Sequence, residues 1–480
     1  DTPRFAEPAV NAEALQQGEI AVSVEVLGDV PSGEVQVECA SSSLPGEVTA
    51  TYVPETQTVE ITGKATAAGE YADAFRLKIV DDKGVETFST AVEVKVEVKK
   101  LEEASETFAT YRRWLNLPVI DTDGALVGVL DLSLPSSGKG SAKFRGLGRV
   151  VKSFVVEGWQ AADGGVSAVA ASGDYRLEVQ DSEDLGLSVE LTQPDGRALP
   201  VRAFAGDVWN GDDVTADAWG GLYTVAFPAD TNRADRGEVL CTGTPVLSLR
   251  MDTARARAYG TFSYAGYLPN GKAFSGSSCA LIGAADDDDG QVRVPVFYTS
   301  SGEDFSSLLR VLPGGGRDAE TRQMVWADAG ACARWQHADA PSVSYARDYQ
   351  AYGSWYDPQE NWLTRMTADY DGKTSLPFRA EGMAQASTVV ASAAGLASGS
   401  PNGLSLSLSF AASSGAVGGT IRDQNQTEYS FFGMVMPGWS AGCGDCGLDP
   451  TTSVVIPFVC GAYSIKRDGA SVGGKITVEE

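Results

Sequence analysis

The sequence predicts an all-β chain, a small N-terminal sandwich followed by antiparallel β-barrel or sandwich modules. Three observations carry this. A strand motif is written three times, as Val129-Leu-Asp-Leu-Ser-Leu134, Val246-Leu-Ser-Leu-Arg-Met251 and Leu404-Ser-Leu-Ser-Leu-Ser-Phe410. Each copy runs on into a turn, a glycine-centred strand and an aromatic-glycine signal. The continuations are Gly138-Lys-Gly140 to Phe154 and Gly158-Trp159, Tyr259-Gly260 to Phe274 and Gly276, and Gly415 to Phe432-Gly433 and Gly438-Trp439. A recurring hairpin-like unit is the mark of modular architecture. The second observation is period-2 alternation near the N-terminus, and the third is the near absence of 3.6-residue periodicity. The copies are unevenly spaced, which excludes a regular solenoid.

At 480 residues the chain exceeds the ~250–300 residues at which single cores stop growing, so several domains are expected. Residues 1–17 are polar and Ala-rich and read as an arm. From Gly18 to about residue 100 the alternation is regular, with Ile20, Val22, Val24 and Val26 on one face. Further strands are expected near 34–39, 48–53, 58–62, 74–80 and 90–98. Turn residues separate them at Pro31-Ser-Gly33, Ala68-Gly69 and Asp82-Lys-Gly84. Short strands at this spacing describe a sandwich. Lys99-Lys100-Leu101 opens a charged connector. A larger β module over 106–345 carries the first two motif copies, and a C-terminal β module over 346–480 carries the third.

The stretch Tyr52-Val-Pro-Glu-Thr-Gln-Thr-Val-Glu-Ile-Thr-Gly63, with Ala68-Gly69-Glu70-Tyr71 and Asp81-Asp-Lys-Gly84, resembles the immunoglobulin-like domains of bacterial surface proteins. The resemblance covers about residues 13–99 and departs from the family pattern at Ala65, where that family usually has Pro. It implies a spacer or adhesive sandwich. The later modules are similar to repeated β-domains of unknown function in large secreted bacterial proteins. The matching pieces include Tyr259-Gly-Thr-Phe262, Leu268-Pro-Asn-Gly-Lys272, Val294-Pro-Val-Phe-Tyr298, Ala351-Tyr-Gly-Ser-Trp-Tyr-Asp-Pro358 and Pro437-Gly-Trp439. Fold of this kind does not by itself give a function.

The formal charge of −27 argues against nucleic acid, whose phosphates are neutralised by Lys and Arg, and against anionic membrane surfaces. No apolar run reaches the ~20 residues of a membrane-spanning helix, so membrane insertion is not expected. The chain begins at Asp1 rather than Met and carries no signal-like segment, so it reads as a mature, processed chain. The seven cysteines suit a few staples in a secreted or cell-surface protein. Cys241, Cys279 and Cys332 fall in one module and Cys443, Cys446 and Cys460 in another. Pairing within modules is expected, with Cys39 left over.

Candidate chemistry is sparse. His337 is the only histidine, so a multi-His metal site is excluded and any His-based catalysis would run through it. Gly442-Cys-Gly-Asp-Cys-Gly447 has C-x-x-C spacing without the βαβ context of a redox motif, and reads as a braced turn. Asp286-Asp-Asp-Asp-Gly290, Asp121-Thr-Asp-Gly124 and Asp212-Asp213 offer oxygens for calcium, but none has EF-hand spacing. They read first as hairpin tips, and no cofactor is expected. Tyr345, Tyr349, Tyr352, Trp355, Tyr356 and Trp362 form an aromatic stretch. Its members Tyr349, Tyr352, Trp355 and Tyr356 are candidates for stacking on sugar rings, with core packing the competing reading. Asn425-Gln-Thr427 spells a glycosylation sequon.

The function these features suggest is a non-enzymatic, extracellular structural protein. Such a chain would be a subunit of a cell-surface or fibre-like assembly, partnered by copies of itself or by other surface proteins. Strand addition by residues 1–17 or 473–480 offers a mechanism. A glycan-binding adhesin is the alternative, and a secreted glycoside hydrolase stands behind it.

Overall fold

In the computed structural model, residues 3–7, 9–28, 30, 34–39, 49–64, 69–71, 75–80, 83–88, 93–104, 112–122, 125–162, 165–182, 186–201, 221–227, 242–252, 261–279, 281–282, 292–311, 323–324, 333–340, 343–349, 351–356, 373–383, 387–392, 394–399, 405–436, 459–467 and 470–478 are described. The fold class is all-β, as expected. Among the described residues, helix is confined to a short turn at Leu101–Ala104 and a 3-10 turn at Leu147–Arg149. None of these helices is long and apolar enough to cross a membrane. The chain divides into two compact units, one of residues 1–114, 131–144 and 152–206 and one of residues 115–130, 145–151 and 207–480.

The first unit opens with a sandwich. Glu19–Leu27 alternates buried and exposed residues, and its inward Ile20, Val24 and Val26 meet Val59 and Ile61 in the core. Hydrogen bonding orders one sheet as Arg4–Phe5, Glu19–Leu27, Thr58–Lys64 and Thr49–Val53. That is the A-B-E-D order of an immunoglobulin-type sheet. On the other side Glu34–Cys39 pairs with Phe75–Val80, which also pairs with Glu86–Phe88. Ala9–Leu15 runs parallel to Glu93–Lys99. The segment read from sequence as an arm therefore contributes two strands, Arg4–Phe5 and Ala9–Leu15, to the domain's own sheets. Its short apolar positions, Phe5, Ala14 and Leu15, are buried there.

A nine-stranded sheet follows, in the order Val150–Val156, Gly140–Gly146, Leu126–Leu134, Arg112–Ile120, Ala198–Val201, Gly186–Thr192, Tyr175–Ser182, Gly165–Ser172, Gln160–Ala162. The first motif copy is the start of its three-stranded meander 126–134, 140–146, 150–156. Within the first unit, Trp159 is buried and its indole N–H donates to the Gly138 carbonyl at 2.7 Å. Gly138 has φ +75, and Leu101 Cδ1 lies where a Cβ would sit, which is why glycine stands here.

In the second unit the second motif copy builds another meander, Val246–Asp252, Thr261–Tyr267, Ala273–Cys279. It is extended by Gly221–Ala226, Tyr352–Tyr356 and Gln323–Met324 into a six-stranded sheet. A five-stranded sheet accompanies it, in the order Leu281–Ile282, Val292–Ser300, Glu303–Val311, Ala333–Ala340, Val343–Tyr349. Their inner faces share one aromatic core, with Phe305 against Phe227 at 5.2 Å and Phe274 at 5.4 Å between ring centroids. Large rings in edge and tilted contact suit a wide interior.

The third copy starts the meander Ser405–Ala411, Ala416–Arg422, Glu428–Val435. It belongs to an eight-stranded sheet completed by Val459–Arg467, Ala470–Val478, Lys373–Ala380, Ser387–Ser392 and Gly395–Ser398. The terminal strands approach each other, since a Cβ at Gly395 would lie 3.4 Å from Phe410 Cδ1. The sheet is a nearly closed barrel, an arrangement that hides strand edges. Its core joins Phe378, Val389, Ile421, Phe431, Val459 and Ile476. The C-terminal strand Ala470–Val478 is hydrogen-bonded to Val459–Arg467 on one side and to Lys373–Ala380 on the other. Of residues 473–480, expected as a segment that could be donated to a neighbour, 476–478 are hydrogen-bonded on both sides within the chain's own sheet, and 479–480 lie outside the described residues.

Candidate functional site

A buried polar constellation is centred on Glu303. A tight turn with Gly302 at φ +77 joins Val292–Ser300 to Glu303–Val311. It places Glu303 at the head of its strand, only 3% exposed. Its Oε1 accepts from Asn270 Nδ2 at 2.8 Å and from Trp335 Nε1 at 3.0 Å. Its Oε2 lies 3.0 Å from Lys272 Nζ. The Asn270 side chain works in two directions, because its Oδ1 accepts from the Lys272 backbone N–H at 3.1 Å and fixes the turn. Lys272 Nζ also donates to Ser300 Oγ at 2.8 Å and stands 5.5 Å from the Tyr298 ring centre. Burial lowers the Lys272 pKa, but hydrogen bonds to Tyr298 and Glu303 and their charges outweigh it, so the net shift is upward.

This arrangement fastens three segments that are far apart in sequence, the 268–272 turn, the head of strand 303–311 and strand 333–340. Charge-assisted hydrogen bonds are about twice as strong as neutral ones. With three donors around it, the buried carboxylate has no unmet hydrogen-bonding demand. The neighbouring Asp304 is also buried, and its Oδ2 accepts from the Gly148 N–H at 2.8 Å.

Two further ties also join segments distant in sequence, one buried and one exposed. The Tyr264 hydroxyl donates to the Phe297 carbonyl at 3.0 Å and accepts from the Phe297 N–H at 3.1 Å. To reach it the ring lies across Gly276, where a Cβ would stand 2.4 Å from the hydroxyl oxygen. Burial is the main cause that pushes the Tyr264 pKa up, against the Phe297 bond and the Arg145 charge. Around the barrel, Glu381 Oε2 accepts from the Lys475 N–H at 3.1 Å and from Thr242 Oγ1 at 2.5 Å. The Tyr463 hydroxyl donates to the Glu381 carbonyl at 2.5 Å.

The structure does not assemble the residues singled out from sequence into one site. Tyr356 is 1% exposed, and its hydroxyl donates to the Ala412 carbonyl at 2.6 Å. It is a packing residue, and the expectation that it stacks on sugar is corrected, because no face of its ring is left for a ligand. Tyr349, Tyr352 and Trp355 lie in the strands Val343–Tyr349 and Tyr352–Tyr356, with their side chains outside the described residues, as is Trp362. Cys460 is buried among Ala226, Val246, Met434 and Met436. Cys241, Cys332, Cys443 and Cys446 lie outside the described residues, and so do the side chains of Cys39 and Cys279. His337 is directly opposite Glu303 in the antiparallel pair, and its side chain is likewise outside them.

Of the calcium candidates, Asp121 closes a hairpin through its N–H to the Ala125 carbonyl at 3.0 Å. Asp123, Asp212, Asp213 and 286–290 lie outside the described residues. Among the described residues no group of three or more His, Cys, Asp or Glu side chains is placed to hold a metal ion. The sequon Asn425-Gln-Thr427 sits in the exposed turn between Ala416–Arg422 and Glu428–Val435.

Sequence reasoning missed Glu303, Trp335 and the bridging role of Tyr264. One signal was present. The Asn270-Gly271 turn with Lys272 and the Ser301-Gly302 turn before Glu303 each place a polar side chain beside a tight reversal. No protein-family model matches the chain, and no curated protein matches it.

Proposed function

We propose that this chain is an extracellular structural protein, a subunit of a cell-surface or polymeric, fibre-like assembly. The observation that carries the reading is how its conspicuous polar side chains are used, Glu303 and Tyr264 being buried and Glu381 exposed. Glu303, Tyr264 and Glu381 each tie strands that are distant in sequence, the kind of bracing that resists separation of one strand from another. The A-B-E-D order at the N-terminus supports the likeness to the immunoglobulin-like domains of bacterial surface proteins. The acidic charge fits a protein that stays dispersed until a specific contact is made.

The test is electron microscopy of the purified full chain, together with light scattering across a concentration series. Filaments or regular arrays are the expected result. A chain that remains monomeric and hydrolyses or tightly binds members of a glycan panel would overturn the reading.

A further inference from the structure

The three motif copies build the same three-stranded meander, and what lies beside its third strand differs among them. In the second copy Ala273–Cys279 also ends its sheet, but Val292–Ser300 lies beside it, with Tyr264 bridging to Phe297. In the third, Glu428–Val435 is hydrogen-bonded to Val459–Arg467. In the first, Val150–Val156 ends its sheet, and among the described residues Gly140–Gly146 is its one hydrogen-bonded neighbour.

We propose that Val150–Val156 is a self-association edge, which pairs antiparallel with the same strand of a second copy about a two-fold axis through Ser153. The strand reads Val-Val-Lys-Ser-Phe-Val-Val, which is nearly the same in either direction. Phe154 and Val156 point into the core. Val151 and Val155 lie on the opposite face and are 54% and 56% exposed, with Ser153 between them. In the two-fold register Val151 falls opposite Val155 of the second copy, and Ser153 opposite its equivalent. Such β-branched cross-strand pairs are stabilising, and a self-complementary strand gives a closed, isologous contact.

Charge favours the same occupant. The chain carries 64 acids against 37 bases, so two copies repel over most of their surface. This strand has no acid. Its single charge, Lys152, is turned toward the body of its own sheet, with Nζ 4.7 Å from the Tyr175 ring centre. Natural edges are commonly guarded by an outward Lys, a Pro or a bulge. Here the Lys is drawn inward and the strand contains no Pro.

The proposal rests on the self-assembly reading and names one of its contacts, since a two-fold contact alone makes dimers and a second surface is needed for a polymer. It is tested on the full chain by sedimentation velocity with wild type, Val151→Glu/Val155→Glu and Val151→Glu/Val155→Lys. Circular dichroism checks that each variant is folded. The double Glu variant is expected to weaken association about tenfold or more, equivalent to ~1.4 kcal/mol. The Glu/Lys variant should restore it, because the two-fold register sets each introduced charge opposite its complement. Ser153→Cys should give a disulfide-linked dimer mapped to that peptide. The Cα atoms of opposed residues, about 4.5–5.5 Å apart, fall within disulfide reach. Ser141→Cys, on the adjoining strand, should not.

Filaments that persist unchanged in the double Glu variant, with no cross-link at position 153, would overturn this edge and leave the assembly reading standing. Cross-linked dimers without any larger species would do the reverse. A wild-type chain that stays monomeric, or that associates only with an acidic strand of another protein, overturns the proposal.

Discussion

Replacing Tyr264 by Phe is the cleanest probe of how the second unit is braced. The substitution keeps the ring and removes one oxygen. That oxygen is the partner of both the N–H and the C=O of Phe297, at 3.1 and 3.0 Å. An unsatisfied buried polar group costs about 1–3 kcal/mol. Two groups lose a partner, and Phe297 is only partly buried, so water recovers a share of the loss. The expected cost is ~2 kcal/mol. For a body of this size it should lower the melting temperature of the second unit by about 2–4 °C per kcal/mol. Urea unfolding read by aromatic fluorescence, with the two units' transitions fitted separately, measures it.

The same residue makes a prediction in pH. Its pKa is raised in the folded chain, chiefly by burial. The folded state therefore holds this proton where the unfolded state has begun to release it. The contribution is fully present below the unfolded value near ~10 and is lost as pH rises through the higher folded value. Tyr264→Phe should lose less stability than wild type over that alkaline range. If the variant unfolds at the wild-type urea midpoint, and its alkaline limb overlays the wild-type one, the hydroxyl is not a tie and the reasoning is wrong. Gly276→Ala should be at least as costly, since its Cβ would meet Cζ of the same ring at 2.5 Å as well as the hydroxyl.

Other substitutions test the remaining ties. Glu303→Ala removes the carboxylate that accepts from the Trp335 indole N–H, the Asn270 amide and Lys272. Because Lys272 keeps 44% of its side chain exposed, its share of the loss is screened, and ~2–3 kcal/mol is expected from urea unfolding. Lys272→Met should flatten the decline in stability at high pH, because a raised lysine pKa contributes fully below its unfolded value near ~10.4 and fades as pH rises through the folded one. Phe432→Ala removes the ring stacked on Tyr267 at 4.3 Å between centroids. A double-mutant cycle with Tyr267→Ala should return a coupling of about 0.5–1.5 kcal/mol.

Much of the fold was legible in the sequence because strand alternation and turn residues are local signals. Ile20, Val24 and Val26 share an inward face as their spacing requires, and the thrice-written motif marks the start of a meander each time. What was hidden depends on partners far away in the chain. Residues 1–17 lack a strong pattern, yet Ala9–Leu15 becomes a strand because Glu93–Lys99 lies beside it. Tyr356 looks like a platform in a run of aromatics, yet its hydroxyl is taken by the Ala412 carbonyl. Glu303 is one acid among 64, and composition cannot show which acid will have an indole, an amide and an ammonium converging on it.

The motif also shows how far a repeated pattern reaches. Val129 and Leu130 are consecutive in the first copy and both fully buried, whereas in the third copy the strand Ser405–Ala411 alternates between exposed and partly buried. The alternation is the same, so the difference comes from neighbours. Leu126–Leu134 sits between two hydrogen-bonded strands, while Ser405–Ala411 is the last in its sheet. A local pattern can specify a meander, since each turn and each pair lies within it. It cannot specify what covers the meander's outer strand, and the chain supplies Val292–Ser300 to one copy and Val459–Arg467 to another. Val150–Val156 is Pro-free like the two covered outer strands and richer in β-branched residues, with four valines against none in Ala273–Cys279 and one in Glu428–Val435. Its valines at 151 and 155 are therefore the place where the repeat most needs a partner, and substitution there separates folding from assembly because neither side chain supports the core.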